Sequence, residues 1–467
     1  MPRVCHPRRR PINLAVGTTE QGDEAALRAP KVVRRLSISE EYPVAQASRL
    51  ASRFALTPPL ETIDFAEKGN INLHTFVVES FAGDGGGQFI LQQINQQVFT
   101  RPQSVMSAMI ACIEAQQANL ARGALRADEQ WETITLVPTR DGAPYLELQD
   151  RRGYACWRLM VRIRNARTFK SLGEIADLPQ RLALAEQAGV GLALFGTLTA
   201  GMNTDGLRNP LPGYRDTRIY YDQLHSVLAG NRTVEDAERR LPEDPQVRQT
   251  TERHFLVHLA VDEARRRVEH PDVQPFIERL RAEEEFALTL LRDMESGRIR
   301  RSAIHGDTKL DNFLFDSRTG QVKALVDLDT IMPHSWLVDW GDMVRSLCNV
   351  AGEKEARVDR IQVDRDIYRA VARGFLRSAR NVTARELDLM PDAVQIIALE
   401  LGMRFLTDYL RGDSYFRLGP ADPPDLNKIR GIAQLTLFER LRAADAEIRP
   451  MLDALRKELA PAPAAES

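Results

Sequence analysis

A short run of β-forming residues interrupts a long helical half of the chain, and it limits the possible architectures more than any other feature. After Thr168 apolar residues recur at helical spacing, in stretches near 179–200, 217–229, 247–269, 275–296, 358–380, 391–411 and 426–446. Between them, Ala303-Ile304-His305, Phe313-Leu314-Phe315 and Val322 to Leu328 read as short strands, bounded by a polar loop and by the turn Asp316 to Gly320. The loop spells His305-Gly306-Asp307-Thr308-Lys309-Leu310-Asp311-Asn312, and the last strand runs into Val326-Asp327-Leu328-Asp329.

That order of polar groups suits phosphoryl transfer from a nucleotide. The reaction needs a carboxylate to orient and receive the proton of an attacking hydroxyl, a cation for the developing phosphate charge, and oxygen ligands for magnesium. Asp307 is expected to be the base, with Lys309 two residues later directed at the transferring phosphate. Asn312 and Asp327 offer the amide and carboxylate oxygens that a hard cation takes. His305 is expected to brace the loop, with an acid or ligand role as the alternative. Asp329, two residues beyond Asp327 on one side of a strand, either faces the site or braces the turn Thr330 to Pro333.

Ahead of the helical half, the pattern is β-rich. Ile71 to Phe81 and Gln88 to Ile94 flank Gly83-Asp84-Gly85-Gly86-Gly87 and predict a hairpin. The glycine run lacks the G-K-[ST] ending of a phosphate loop, so it reads as a turn. A helix over Pro102 to Arg122 should pack on the hairpin, and strand-like segments follow at Thr133 to Pro138, Tyr145 to Leu148 and Tyr154 to Ile163.

Composition removes several other classes. Sixty-three basic against sixty-five acidic residues give a net charge of -2, so no global field draws the chain to nucleic acid or an anionic membrane. No apolar run is long enough to span a bilayer. Cys5, Cys112, Cys156 and Cys348 form no C-x-x-C pair, which argues against a disulfide framework or structural zinc and for a reducing cytoplasm. Residues 1–50 read as a polar, disordered extension, with a transit peptide or a misassigned start as lesser alternatives, and the Ala/Pro-rich 460–467 as a disordered tail.

These strings resemble the aminoglycoside phosphotransferase and choline kinase superfamily, whose fold is protein-kinase-like. Within it the chain is most similar to the N-acetylhexosamine 1-kinases. That similarity rests on Phe89 to Asn95 with Val98-Phe99, on His305 to Asn312, on Val326-Asp327-Leu328-Asp329-Thr330-Ile331-Met332-Pro333, and on Arg404 to Leu410 leading to Gly412-Asp413-Ser414-Tyr415-Phe416. The resemblance spans about residues 65–445. It implies an α+β, bilobal fold with a small β-rich N-lobe over 51–165 and a large, mainly helical C-lobe over 166–459. It also implies ATP- and magnesium-dependent phosphorylation of the anomeric hydroxyl of an N-acetylated hexosamine, with Asp307, Asn312 and Asp327 at the base and metal positions. Arg404 and Tyr415 match positions near the substrate and its phosphate. The backbone of Gly69-Asn70-Ile71-Asn72 would lie over the nucleotide, with Gln92 beside it.

Two departures bear on this expectation. Members usually carry Lys or Arg near the end of the third strand, where this chain has Gln92 and Gln93, so either another arginine reaches in or nucleotide binding is weak. The histidine that usually precedes the second substrate segment is replaced near Tyr214-Arg215-Asp216-Thr217. The alternatives kept open are a kinase for an aminoglycoside, an amino alcohol or another small hydroxyl compound, and a catalytically weak binding regulator. Arg404 and Asp408 lie four apart on a helix, so an intrahelical ion pair stands as the alternative to a substrate role for Arg404. His254, His258 and Asp262 are expected on one helical face, as histidines rather than a metal site, since H-E-x-x-H is absent. Asn231-Arg232-Thr233 fits a glycosylation sequon but is discounted for want of a secretion signal.

Overall fold

Five antiparallel strands, in the spatial order β1-β2-β3-β5-β4, form the first layer: β1 Leu60–Asp64, β2 Thr75–Ser80, β3 Gly87–Gln93, β4 Leu146–Asp150 and β5 Gly153–Val161. A computed structural model of the protein describes residues 44–66, 71–72, 74–83, 86–150, 153–416, 418–419 and 421–459. Residues 1–43 of the expected extension, the tail 460–467, and Gly69 and Asn70 lie outside the described residues.

Alternation along the strands sorts the two faces of this sheet. Phe89 and Leu91 of β3 and Trp157 and Leu159 of β5 point into an outer core shared with Ala47, Leu50 and Phe54. Those last residues belong to or follow the helix Val44–Ala51, which packs on β1 and β2, so regular structure begins before residue 51. The opposite face carries Gln92, Cys156, Arg158 and Met160. It looks toward the helix Pro102–Ala121, whose Met106, Met109 and Cys112 join the large core of the second lobe. Thr133 to Pro138 is not a ladder strand. Only Leu136 bridges to Met160, alongside bonds from Val137 N–H to Leu159 O and from Val161 N–H to Thr135 O.

The second lobe is helical and encloses the β island. Its strands are β6 Ala166–Arg167, β7 Ser302–Ile304, β8 Phe313–Asp316, β9 Val322–Leu325 and β10 Met332–His334, with β6-β8-β9 in one sheet and β7 paired to β10. The helices Leu178–Leu198 and Arg365–Ser378 lie so close that a Cβ at Gly189 or Gly374 would run into the partner backbone, which explains glycine in both interiors. Helices Trp336–Cys348, Met390–Arg411 and Leu426–Leu459 complete the lobe. The fold is α+β, a β-sheet region followed by a large helical region.

Two expectations of local geometry are corrected. The strand expected to reach Leu328 ends at Leu325, because Asp327 turns the chain at φ +64° into a single 3-10 turn, Leu328–Thr330. Asp327 and Asp329 therefore do not share a strand face. The single helix expected over 247–269 is broken into Pro245–Thr251, a 3-10 turn Glu252–Phe255 and Val261–Val268. Tertiary backbone bonds take the segment between them: Val257 N–H donates to Asn231 O (2.8 Å) and His258 N–H to Arg411 O (2.8 Å). His254, His258 and Asp262 thus share no helix. Among the described residues no helix is long and apolar enough to cross a membrane.

Candidate active site

The loop between β7 and β8 is held from behind. Asp339, in the helix Trp336–Cys348, accepts the backbone N–H groups of His305 (2.7 Å) and Gly306 (2.8 Å), and its own carbonyl accepts the Thr308 hydroxyl (2.6 Å). One turn on, Asp342 accepts the Thr308 N–H at 3.3 Å. Asp342 also pairs with the buried Arg215 (3.0 Å) and with Arg345 (2.5 Å). His305 is fully buried, and its Nε2 meets the carbonyl of Val326 at 2.8 Å, so it braces the loop against the strand leading to Asp327. Gly306 sits at φ +84°, and a Cβ there would stand 2.8 Å from the Thr330 carbonyl. Only glycine fits without strain.

Held in this way, Asp307 stays half-exposed at the cleft. Lys309 Nζ lies 3.2 Å from Asp307 Oδ2. Desolvation opposes the lysine's charge, but Asp307, Asp311 and Asp327 outweigh it and hold the ammonium protonated. Asn312 donates its Nδ2 to the Asp307 carbonyl (2.7 Å) and carboxylate (3.2 Å), while its backbone carbonyl accepts the Val326 N–H. Its amide oxygen takes no donor among the described residues.

Enclosure in the cleft, then the charges of Asp329 and Asp307, push the Asp327 carboxyl above the carboxylate range. Asp327 is nevertheless exposed to solvent, so water tempers the desolvation. An amide oxygen beside a carboxylate crowded by two others is a donor set that fits a hard divalent cation such as magnesium.

Facing this loop, the sheet presents an unexpected arrangement. Asp329 is buried; its Oδ2 accepts Asn72 Nδ2 at 2.6 Å, and its Oδ1 lies 2.5 Å from Arg158 Nη1 in an ion pair not aligned as a hydrogen bond. Asn72 in turn accepts the Asn95 N–H through Oδ1 (3.0 Å). Arg158 stands directly across the β3–β5 ladder from Gln92 and donates to Gln92 Oε1 from Nε (3.1 Å) and Nη2 (2.5 Å). The charge lacking at Gln92 and Gln93 is therefore present one strand away. Asp329 ties the sheet and the loop before β2 to the island.

On the other side of Asp307, Arg404 is surrounded by rings. Its guanidinium carbon lies 5.1 Å from the centroid of Tyr214, 4.7 Å from Tyr220, 5.7 Å from Tyr415 and 5.4 Å from Phe416. Tyr214 donates its hydroxyl to the Gly306 carbonyl (3.0 Å), which sets this cage against the loop. Arg404 makes no hydrogen bond or ion pair among the described residues, and the intrahelical pairing with Asp408 does not form. Asp408 instead pairs with Arg411 (2.7 Å) and accepts the N–H groups of Ser414 (3.1 Å), Tyr415 (3.0 Å) and Phe416 (2.8 Å). The remaining nearby carboxylates are also engaged: Glu400 with Arg215 and Thr217, and Asp413 with Arg267 and Asn427.

The structure thus brings Asp307, Lys309, Asn312 and Asp327 together around one loop, with Asn72, Gln92 and Asp329 on the sheet side and Arg404 and Tyr415 on the other. Sequence reasoning did not single out Asp339, Asp342 or Arg158, and it named Arg215 only within the segment that lacks the usual histidine. For the first two a signal existed: carboxylates three apart, one turn on a helix that starts just after Asp329-Thr330-Ile331-Met332-Pro333. Arg158 had none, because its meaning comes from strand register.

The chain is similar to several solved structures. A microcompartment-associated aminopropanol kinase shares 17% identity, with 86% of this chain and 98% of that one covered and a TM-score of 0.47. An ethanolamine kinase of Plasmodium vivax shares 12%, with 82% of each chain covered and a TM-score of 0.45. A choline kinase from Streptococcus pneumoniae shares 9%, with 86% and 97% covered and a TM-score of 0.38. Residues 81–375 match the family model described as the phosphotransferase enzyme family, well over half of the chain, and the chain belongs to that family.

Proposed function

We propose that the chain is an ATP- and magnesium-dependent small-molecule kinase whose acceptor is a neutral or anionic hydroxyl compound, best matched by the anomeric hydroxyl of an N-acetylhexosamine or related sugar. The observation that carries this reading is the guanidinium of Arg404, without a hydrogen bond or ion pair among the described residues, inside a cage of aromatic rings that Tyr214 ties to Gly306, next to Asp307. Aromatic faces stack on the apolar side of a sugar ring, and a guanidinium donates to its hydroxyl, acyl or phosphate oxygens. An aminoglycoside or a charged amino alcohol would need carboxylates here, and those nearby already have partners.

Asp307 would accept the proton of the acceptor hydroxyl as that oxygen attacks the γ-phosphorus and ADP leaves. Lys309, protonated and paired with Asp307, fixes the carboxylate and faces the transferring phosphate. Asn312 and Asp327 would hold magnesium, which when bound offsets phosphate charge. Positioning and electrostatics, without a covalent enzyme intermediate, supply the rate.

The test is incubation with ATP, magnesium and a panel of hexoses, N-acetylhexosamines, amino alcohols and aminoglycosides, with products identified by mass spectrometry. A hexosamine 1-phosphate that disappears in Asp327→Ala supports the reading. A phosphorylated aminoglycoside or amino alcohol replaces the acceptor. Nucleotide binding with no product on any acceptor would favour a binding regulator.

A further inference from the structure

We infer that Arg158, on β5, is the cation that grips the nucleotide phosphates in this chain, with Asp329 as the carboxylate that holds it and Gln92 as the amide that aims it. The inference rests on the proposed phosphoryl transfer but concerns a residue outside the motifs that suggest it. In kinases this task falls to a lysine on the third strand kept in place by a carboxylate. Here the third strand offers Gln92, which has no charge to give a triphosphate.

Three observations converge on Arg158. It is the one cation buried among the described residues of the N-lobe, at 1% exposure, and it lies on the sheet face that looks toward Asp327 and Asp329 rather than on the face carrying Trp157 and Leu159. Its register partner is Gln92, so a guanidinium from β5 and a basic side chain from that point of β3 reach the same region. Finally, its surroundings restrain the group without saturating it. Nε and Nη2 donate to the single oxygen of Gln92, Nη1 donates to Met109 Sδ (3.3 Å) and lies against Asp329, and a guanidinium with five N–H groups still keeps donors over.

Burial makes a purely structural explanation costly. A buried ion pair loses the hydration of both charges, and apolar replacements of similar volume are often as stable. Asp329 is also bonded to Asn72, in the segment joining β1 to β2 that the family resemblance lays over the nucleotide. One carboxylate therefore sets the distance from the cation to that segment and to Asp327, two residues away.

The full-length chain can be tested without knowing the acceptor, by calorimetric titration with MgADP and, separately, with adenosine, which has no phosphates. Arg158→Gln is expected to weaken MgADP by ~10- to 100-fold, the range for lost charge-assisted hydrogen bonds, and to leave adenosine affinity unchanged. Arg158→Gln combined with Gln92→Lys returns the cation to β3 and should recover most of the loss, while Arg158→Lys should be intermediate. Wild-type MgADP affinity in Arg158→Gln overturns the inference, and so does an equal loss for adenosine and MgADP or failure of the double variant to recover. If the wild-type chain binds neither ligand, the nucleotide reading itself fails, and this inference with it. If Arg158→Gln does not fold, as judged by thermal unfolding, the double variant and Arg158→Lys decide: both must bind MgADP more tightly than Arg158→Met with Gln92 kept, and equality overturns the assignment.

Discussion

Asp339 accepts the backbone N–H of His305 at 2.7 Å, so a carboxylate in the helix after the island, and no residue of the loop itself, fixes where the loop begins. With its second oxygen on Gly306, Asp339 serves two backbone donors that no other group could satisfy in the buried interior. Asp339→Asn turns one acceptor into a donor facing an N–H. Stability should fall by about 1–3 kcal/mol, and turnover should fall further than the fraction folded, as Asp307 loses its fixed position. Urea unfolding alongside steady-state kinetics would check both.

Asp307 is the proposed base, and its half-exposed side chain has little packing to lose. Asp307→Asn should lower turnover by ~100-fold or more while leaving the unfolding midpoint close to wild type. Near-wild-type turnover in that variant would remove Asp307 from the chemistry.

Arg404 should act on the acceptor alone. In Arg404→Met the acceptor KM should rise by ~10- to 100-fold with the KM for ATP unchanged, because Arg404 sits among Tyr214, Tyr220, Tyr415 and Phe416 and not on the sheet proposed to take the nucleotide. A parallel rise in both constants would place Arg404 in general packing of the cage.

His254 supplies a pH signature. Its Nε2 accepts from Arg253 Nε at 3.1 Å, and its ring meets the edge of Tyr415 at 5.1 Å, an arrangement that requires the neutral imidazole. Burial, then the charges of Arg411, Arg253, Arg404 and His258, hold it down to about 2. The unfolded chain takes up a proton below its ordinary value near 6.5 that the folded chain refuses, so the stability His254 permits is full above that pH and drains as pH falls toward 2. From about pH 6 to about pH 5 the loss should approach about 1.4 kcal/mol. His254→Gln, which keeps an acceptor for Arg253, should flatten that slope in urea titrations at the two pH values.

The β island was legible because its evidence is local: loop, turn and strands follow one another within twenty-five residues of Ala303, and the structure keeps them in that order. The segment 247–269 misled for the opposite reason. Its apolar spacing suits a helix, but Asn231 and Arg411 capture Val257 and His258 through backbone bonds that no window of neighbouring residues contains. Asp329 failed similarly. Strand period placed it beside Asp327, whereas the left-handed turn at Asp327 swings it toward Arg158, and a lone non-glycine residue at positive φ leaves little trace in composition. Arg404 was marked by resemblance, yet its freedom from Asp408 depends on Arg411, one turn further along, taking that carboxylate.

Asp408 has one more consequence. Because it clamps the main chain of Ser414, Tyr415 and Phe416, the segment flanking Arg404 is built from peptide bonds held by a fully buried group. The main chain at 415 and 416 is thus a fixed rail, whatever side chains it carries. On the proposed reading, a change of acceptor would be met by the side chains on that rail, with the rail itself left in place.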